Sequence, residues 1–94
     1  MFYVYIIHSK KLDKFYIGST DNLQKRITAH NKKETPFTAK GIPWKLIYYE
    51  AFIEKGDALR EERFFKTGKG RERRKYLLAD FLDKFKKIIN RRVG

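Results

Sequence analysis

Apolar and polar positions in this chain follow first the period of a strand, then that of a helix. Phe2 to Ile7 (FYVYII) is β-branched and aromatic throughout and predicts a strand. Phe15 to Gly18 (FYIG) predicts a second, short strand after the polar turn Ser9 to Lys14, so the two read as a hairpin. The period then changes. Thr20 and Asp21 are N-cap residue types before a helix in which Leu23, Ile27 and His30 recur at i, i+4 and i+7, ending near Asn31. Residues 32 to 43 (KKETPFTAKGIP) hold two Pro, one Gly and three Lys and read as a loop. Trp44 to Phe52 (WKLIYYEAF) is a third strand, apolar on both faces, which predicts a place in the middle of a sheet covered by helices. Gly56 and Asp57 open a helix through Phe65 or Lys66, with Gly68 and Gly70 stopping it. Leu78, Phe81, Leu82, Phe85, Ile88 and Ile89 fall at helical spacing and predict a last amphipathic helix reaching almost to the C-terminus. Strands followed by helices without strict alternation predict an α+β fold: a three-stranded antiparallel sheet flanked by helices, in the order ββαβαα.

The size agrees with one core. Ninety-four residues make a single domain, 1–94, and 41% hydrophobic with 16% aromatic residues is more than a disordered chain carries. Zero cysteines exclude disulfides, thiolate zinc sites and cysteine nucleophiles, and fit a reducing, cytoplasmic setting. The longest apolar runs are a few residues, so neither a membrane span nor a signal peptide is expected. Charge changes the picture most. A formal net charge of +12 makes a polyanion the expected partner, with nucleic acid ahead of an anionic membrane. The sign is uneven: residues 1–50 carry net +5 and 66–94 net +8, whereas 51–65, with Glu54, Asp57, Glu61 and Glu62, carry net −1. Helix N-termini favour acids, which accounts for Glu54 and Asp57. A cation site beside a phosphate would account for the later pair.

Candidate chemistry clusters on the hairpin and the two helices after it. Strand alternation puts Tyr3 and Tyr5 on one face, with Tyr16 on the neighbouring strand. Tyr3, Tyr48 and Tyr49 are accounted for as half-buried strand residues. Gly18 ends its strand just before a capped helix, so Ser19, Thr20 and the first helical amides form a candidate phosphate contact. Arg26 and His30 border the apolar stripe of that helix, at about −60° and −20° from Leu23 when each residue turns the helix by about 100°. His30 reads equally as a buried histidine bonded to a carbonyl and as a functional group. On the next helix Glu61 and Glu62 flank the apolar face equally, periodicity does not choose between them, and either reads as an ordinary salt bridge with Arg63 or Lys66 or as a ligand for a hard divalent cation.

In order and spacing, YVY at Tyr3 to Tyr5, YIG at Tyr16 to Gly18, Arg26, His30 and a later carboxylate resemble the GIY-YIG nuclease family. The likeness is to its small stand-alone bacterial members, which resemble the N-terminal nuclease domain of the excision-repair endonuclease. It covers nearly the whole chain, and Pro43 to Tyr48 and the Ala58, Glu62, Lys66 spacing add to it. The resemblance selects Glu62 over Glu61. It implies Tyr16 as general base, Tyr5 as its partner phenol, Arg26 as the phosphate-stabilising arginine, Glu62 as the single metal ligand, and Gly18, followed by Ser19, as the motif glycine. His30 falls where relatives carry a histidine or tyrosine near the scissile phosphate. Tyr3 replaces the first motif's glycine, and Arg74 or a neighbour stands where some relatives carry an asparagine.

The implied reaction is metal-dependent hydrolysis of DNA, in repair or on structured DNA, with one Mg2+ or Mn2+ ion bound weakly until substrate supplies further ligands. A phenol with pKa about 10 is ionised in only about one molecule in a thousand at neutral pH, so a tyrosine base needs a bias of roughly 4 kcal/mol. Nearby cations, relay between Tyr5 and Tyr16, or a water acidified by metal are three ways to supply it. Lys40, Lys69, Arg71, Arg73 and Arg74 are candidate phosphate contacts, with Lys10, Lys11, Lys14, Lys32, Lys33 and Lys75 beside them. No base-reading motif is present, so recognition by backbone charge or distorted structure is expected. A domain without extra reading modules either accepts a broad range of substrates or is delivered by a partner protein. The competing expectations are a non-catalytic nucleic-acid-binding module of the same fold and a scaffold docking through the Leu78 to Ile89 helix.

Overall fold

The computed structural model describes the backbone of residues 1–93 and the side chains through Lys87. Three antiparallel strands, β1 (Phe2–Ser9), β2 (Lys14–Thr20) and β3 (Trp44–Phe52), form one sheet in the order β2-β1-β3. Helices α1 (Leu23–Asn31) and α2 (Pro36–Ala39) lie between β2 and β3 in sequence; α3 (Lys55–Phe65), α4 (Gly68–Leu77) and α5 (Ala79–Val93) follow β3. The fold is α+β as expected. The chain groups into two compact units, Met1–Arg63 and Phe64–Gly94.

The central strand is β1, not β3. Val4 to Ser9 are buried without a break, whereas β3 is buried only at Trp44 and is half-buried or exposed from Lys45 to Phe52, with Tyr49 54% exposed. Continuous burial belongs to a strand hydrogen-bonded on both sides. The apolar run of β3 misleads because tyrosines tolerate an edge, with the ring packed and the hydroxyl in water. Tyr3 and Tyr49 meet in this way, edge to face at 6.1 Å.

One face of the sheet carries the packing that matters for the site. Tyr5, Ile7 and Trp44 are buried together, with Tyr16, Leu23, Ile27, Ile42 and Leu46 packed on them. Thus the Leu23/Ile27/His30 stripe of α1 does face the sheet. The cap of α1 is Asn22 rather than Thr20 or Asp21: its side-chain oxygen accepts from Lys25 N at 3.1 Å. Thr20 is unavailable because it ends β2 and its hydroxyl bonds both N–H and C=O of Asn22.

Two helices appear where none was expected. In the 32–43 segment Pro36 opens α2, a single turn too short to show a helical period. In the second unit Gly68 and Gly70 begin a helix instead of only ending one. Thr67 caps α4, its hydroxyl oxygen accepting from Gly70 N at 3.1 Å. A side chain on Gly70 would collide with the Phe64 carbonyl, so glycine is needed for the close approach of backbone to backbone, not for termination. The sequence of elements is therefore ββααβααα. On α5, Phe81 and Phe85 stack at 6.1 Å; the stripe positions Ile88 and Ile89 lie outside the described side chains.

Candidate active site

Register places the first phenol. Tyr5 on β1 pairs with Gly18 on β2, and its ring lies over the glycine: a Cβ there would come 2.5 Å from the Tyr5 hydroxyl and 2.7 Å from Cζ. The motif glycine clears space for a phenol. Tyr5 is fully buried and its hydroxyl meets His30 Nε2 at 2.8 Å, while Arg26 Nε–H points to the same oxygen at 3.4 Å. Tyr16 on the outer strand sets its ring edge-on to His30 at 4.8 Å and tilted to Tyr5 at 6.4 Å.

Proton counting orders this cluster. Thr38 on α2 has one hydroxyl proton, which goes to the Thr35 carbonyl at 3.3 Å; its oxygen therefore accepts from His30 Nδ1–H at 2.9 Å. His30 Nε2 is then the bare nitrogen, and Tyr5 donates to it. Thr38 is held in turn by the Trp44 indole, whose Nε1–H donates to the Thr38 carbonyl at 2.6 Å. Asn31 clamps the Trp44 backbone, accepting from N at 2.7 Å and donating to O at 3.0 Å.

Electrostatics agree with that assignment. Burial, then the charge of Arg26, lowers the His30 pKa and keeps the imidazole neutral. Burial raises the Tyr5 pKa; the Arg26 hydrogen bond works against this, and the charges of Tyr16 and Glu62 add to it. Tyr5 is thus a proton donor, held away from ionisation. The Arg26 pKa is raised, first by its bond to Tyr5 and against desolvation, with Tyr16 contributing further.

Ser19 follows Gly18 near the end of β2. It donates to Glu62 Oε1 on α3 at 2.6 Å, a contact across 43 residues of sequence. Glu62 therefore meets the YIG strand, and its charge is felt at Tyr5. The hydroxyls of Ser19 and Thr20 are engaged with Glu62 and Asn22, so they do not stand open as the phosphate cradle expected of them. Both residues still line a cavity of about 330 Å3, together with Phe2, Asp21, Arg26, Lys55, Ala58 and Leu59.

The oxygens of Glu62 and Ser19 are hard donors, of the kind magnesium and manganese take. Among the described residues no three His, Cys, Asp or Glu side chains group as a metal cage. Asp57, from the same acidic stretch, is instead paired with Arg60 at 3.0 Å on the surface.

The predicted nucleic-acid contacts divide. Lys40 follows α2 and is exposed, and Lys69, Arg71 and Arg73 are exposed on α4, with Arg73 over the Tyr76 ring at 5.5 Å. Arg74 differs. It is half-buried, its Nε has no hydrogen-bond partner among the described residues, and burial, then Arg71, lowers its pKa.

With this geometry the family match is decisive. Residues 1–76 match the model of the GIY-YIG catalytic domain. The chain belongs to the GIY-YIG family. It is similar to small bacterial proteins named UPF0213: 35% identical over 88 residues to one from Limosilactobacillus reuteri, covering 90% of this chain and 91% of the relative. It is 40% identical over 67 residues to one from Lacticaseibacillus paracasei (70% and 74%) and 42% identical over 67 residues to one from Clostridium perfringens (70% and 71%). GIY-YIG is a nuclease family whose members generally use divalent metals. No helix among the described residues is long and apolar enough to cross a membrane.

Sequence reasoning missed Thr38, Trp44 and Asn31 as supports of His30. The one local signal was Thr35-Pro36 followed by Thr38, a helix start that places a hydroxyl one turn on.

Proposed function

We propose that this GIY-YIG protein is a divalent-metal-dependent endonuclease that hydrolyses DNA phosphodiester bonds, acting in repair or on structured DNA in the cytoplasm. The observation that carries the reading is the Ser19–Glu62 bond of 2.6 Å, which brings the carboxylate to the strand that also holds Tyr16 and Gly18. The family match crosses from one compact unit into the other, which supports reading 1–94 as one functional domain.

In this reading Tyr16, half-buried at the surface of the aromatic cluster, takes a proton from the attacking water. Arg26 reaches from the cavity wall to the phosphate oxygens, and its charge is favoured by both phenols. Tyr5 keeps its proton and holds the guanidinium by accepting Nε–H. His30 is 0% exposed with both ring nitrogens bonded inside the protein, so it works through Tyr5 as a positioning residue and not at the phosphate. Glu62 with Ser19 would hold Mg2+ or Mn2+, whose positive charge lowers the pKa of bound water and offsets charge on the phosphate. Exposed Lys40, Lys69, Arg71 and Arg73 supply sequence-independent affinity, and a partner protein that delivers substrate would add selectivity.

The test is Glu62→Gln, assayed on nicked, branched, mismatched and single-stranded DNA with Mn2+. Cleavage is expected to disappear while DNA affinity stays. Undiminished cleavage overturns the metal role. Strong, salt-sensitive binding without cleavage by the unaltered protein gives the non-catalytic binding module instead.

A further inference from the structure

We propose that Phe37 is a stacking platform for one unpaired nucleobase beside Tyr16, so that the protein prefers nucleic acid with a locally unstacked nucleotide over regular duplex. This rests on the nucleic-acid reading above and names the substrate class of that site.

Phe37 is 79% exposed, yet the next residue, Thr38, is wholly buried. The exposure is not slack in the chain. Thr38 N and Ala39 N both donate to the Thr35 carbonyl at 3.1 Å, and Gly41 N donates to the Thr38 carbonyl at 3.1 Å. The Trp44 indole and His30 hold Thr38 from the protein side. A ring displayed from such an anchored turn loses little freedom when something packs on it.

Its position is specific. The Phe37 ring lies 5.9 Å from the Tyr16 ring, tilted by 52°, and Tyr16 lies edge-on to His30 at 4.8 Å. An aromatic series thus runs from buried His30 through half-buried Tyr16 to open Phe37. Phenylalanine has no polar atom to offer, only a flat π surface. In the segment that carries it, Lys32, Lys33 and Lys40 stand against Glu34, all exposed, which suits a polyanion and not an apolar partner surface. Every nucleobase has a face that stacks on such a ring, whatever its sequence. In regular duplex those faces are covered by neighbouring bases, and pulling one out costs least where pairing is already lost.

The experiment compares a short single-stranded oligodeoxynucleotide carrying 2-aminopurine with the same oligonucleotide in duplex, in EDTA so that no cleavage intervenes. The unaltered protein should bind the single strand more tightly and change the 2-aminopurine fluorescence on binding. Phe37→Ala should weaken single-strand binding by roughly 5- to 100-fold and abolish the fluorescence change, leaving duplex affinity within about twofold. Phe37→Trp should restore both, whereas Phe37→Leu, apolar but without a ring, should not. Equal loss on both probes, no loss on either, rescue by Leu, or failure of the unaltered protein to bind either probe overturns the proposal. Because the readout needs neither metal nor turnover, failure of the nuclease reading at Glu62 leaves it standing or falling separately.

Discussion

Two polar regions of the Met1–Arg63 unit have opposite designs. The Thr38–His30–Tyr5 chain is wholly buried, and each member has its donors and acceptors met inside the protein. The cavity walled by Ser19, Asp21, Arg26 and Lys55 is open and charged. A buried polar chain rigidifies because any misplaced member loses a hydrogen bond that water does not replace. An open charged cavity meets substrate but has little to hold its own geometry. Arg26 belongs to both, lining the cavity with its guanidinium held at Tyr5.

Removing groups on the open side should have the largest effect. Glu62→Gln is expected to abolish detectable cleavage and Arg26→Ala to lower kcat by about 10²- to 10³-fold in a DNA-cleavage assay, with the melting temperature close to unaltered. If Arg26→Ala instead unfolds the protein while turnover per folded molecule persists, the division into open and closed regions is wrong. Gly18→Ala strikes where the two regions join. The added methyl falls 2.5 Å from the Tyr5 hydroxyl, so the ring must move off His30 and Arg26. About 1–3 kcal/mol of stability should be lost in urea melts, together with most activity.

Within the closed chain, Thr38→Val keeps the shape and removes the acceptor of His30 Nδ1–H. A fall of about 10-fold in kcat with little change in KM is expected, as for other outer-shell partners that orient a histidine, and Thr38→Ser should restore it. Nitrogen-15 NMR of the imidazole gives a direct check: protonated Nδ1 in the unaltered protein and Thr38→Ser, a changed tautomer in Thr38→Val. Basic residues on α4 should act more uniformly. Replacing Lys69, Arg71 and Arg73 with Ala should weaken binding to all DNA forms alike and reduce the slope of log K against log salt by roughly 2 to 3.

The smallest effect is on pH dependence. Burial and Arg26 hold the His30 pKa below its ordinary 6.5, so the unfolded chain takes up this proton first as pH falls. Stability from this residue is complete above about pH 6.5 and declines as pH drops below it, through the folded-state pKa. Thermal melts across that range should show the decline, and His30→Gln should flatten it. An equal slope in the two proteins would mean that His30 is not held neutral.

Much of the fold was legible because its signals are local. Strand composition located β1, β2 and β3, and the stripe Leu23, Ile27 and His30 does face the sheet. Elements misjudged were those where local and tertiary demands differ. The apolar run of β3 looked central, yet tyrosines let it serve as an edge; Gly68 and Gly70 looked like a stop, yet Thr67 caps a helix there. Short α2 left no periodic trace, and with it went Thr38.

The site divides along the same line. Sequence alone determined which chemistry is present: two phenols on adjacent strands, a guanidinium and an imidazole four residues apart on one helix, two adjacent acids on another, and an excess of positive charge. Those follow from residue type and from periods of two and 3.6, which operate within one element. Only the tertiary structure decided that Glu62 bonds Ser19, that Gly18 makes room for Tyr5, and that His30 is closed off by Thr38. Each is a meeting of separate segments, set by register and packing, which no pattern along a single stretch of chain encodes.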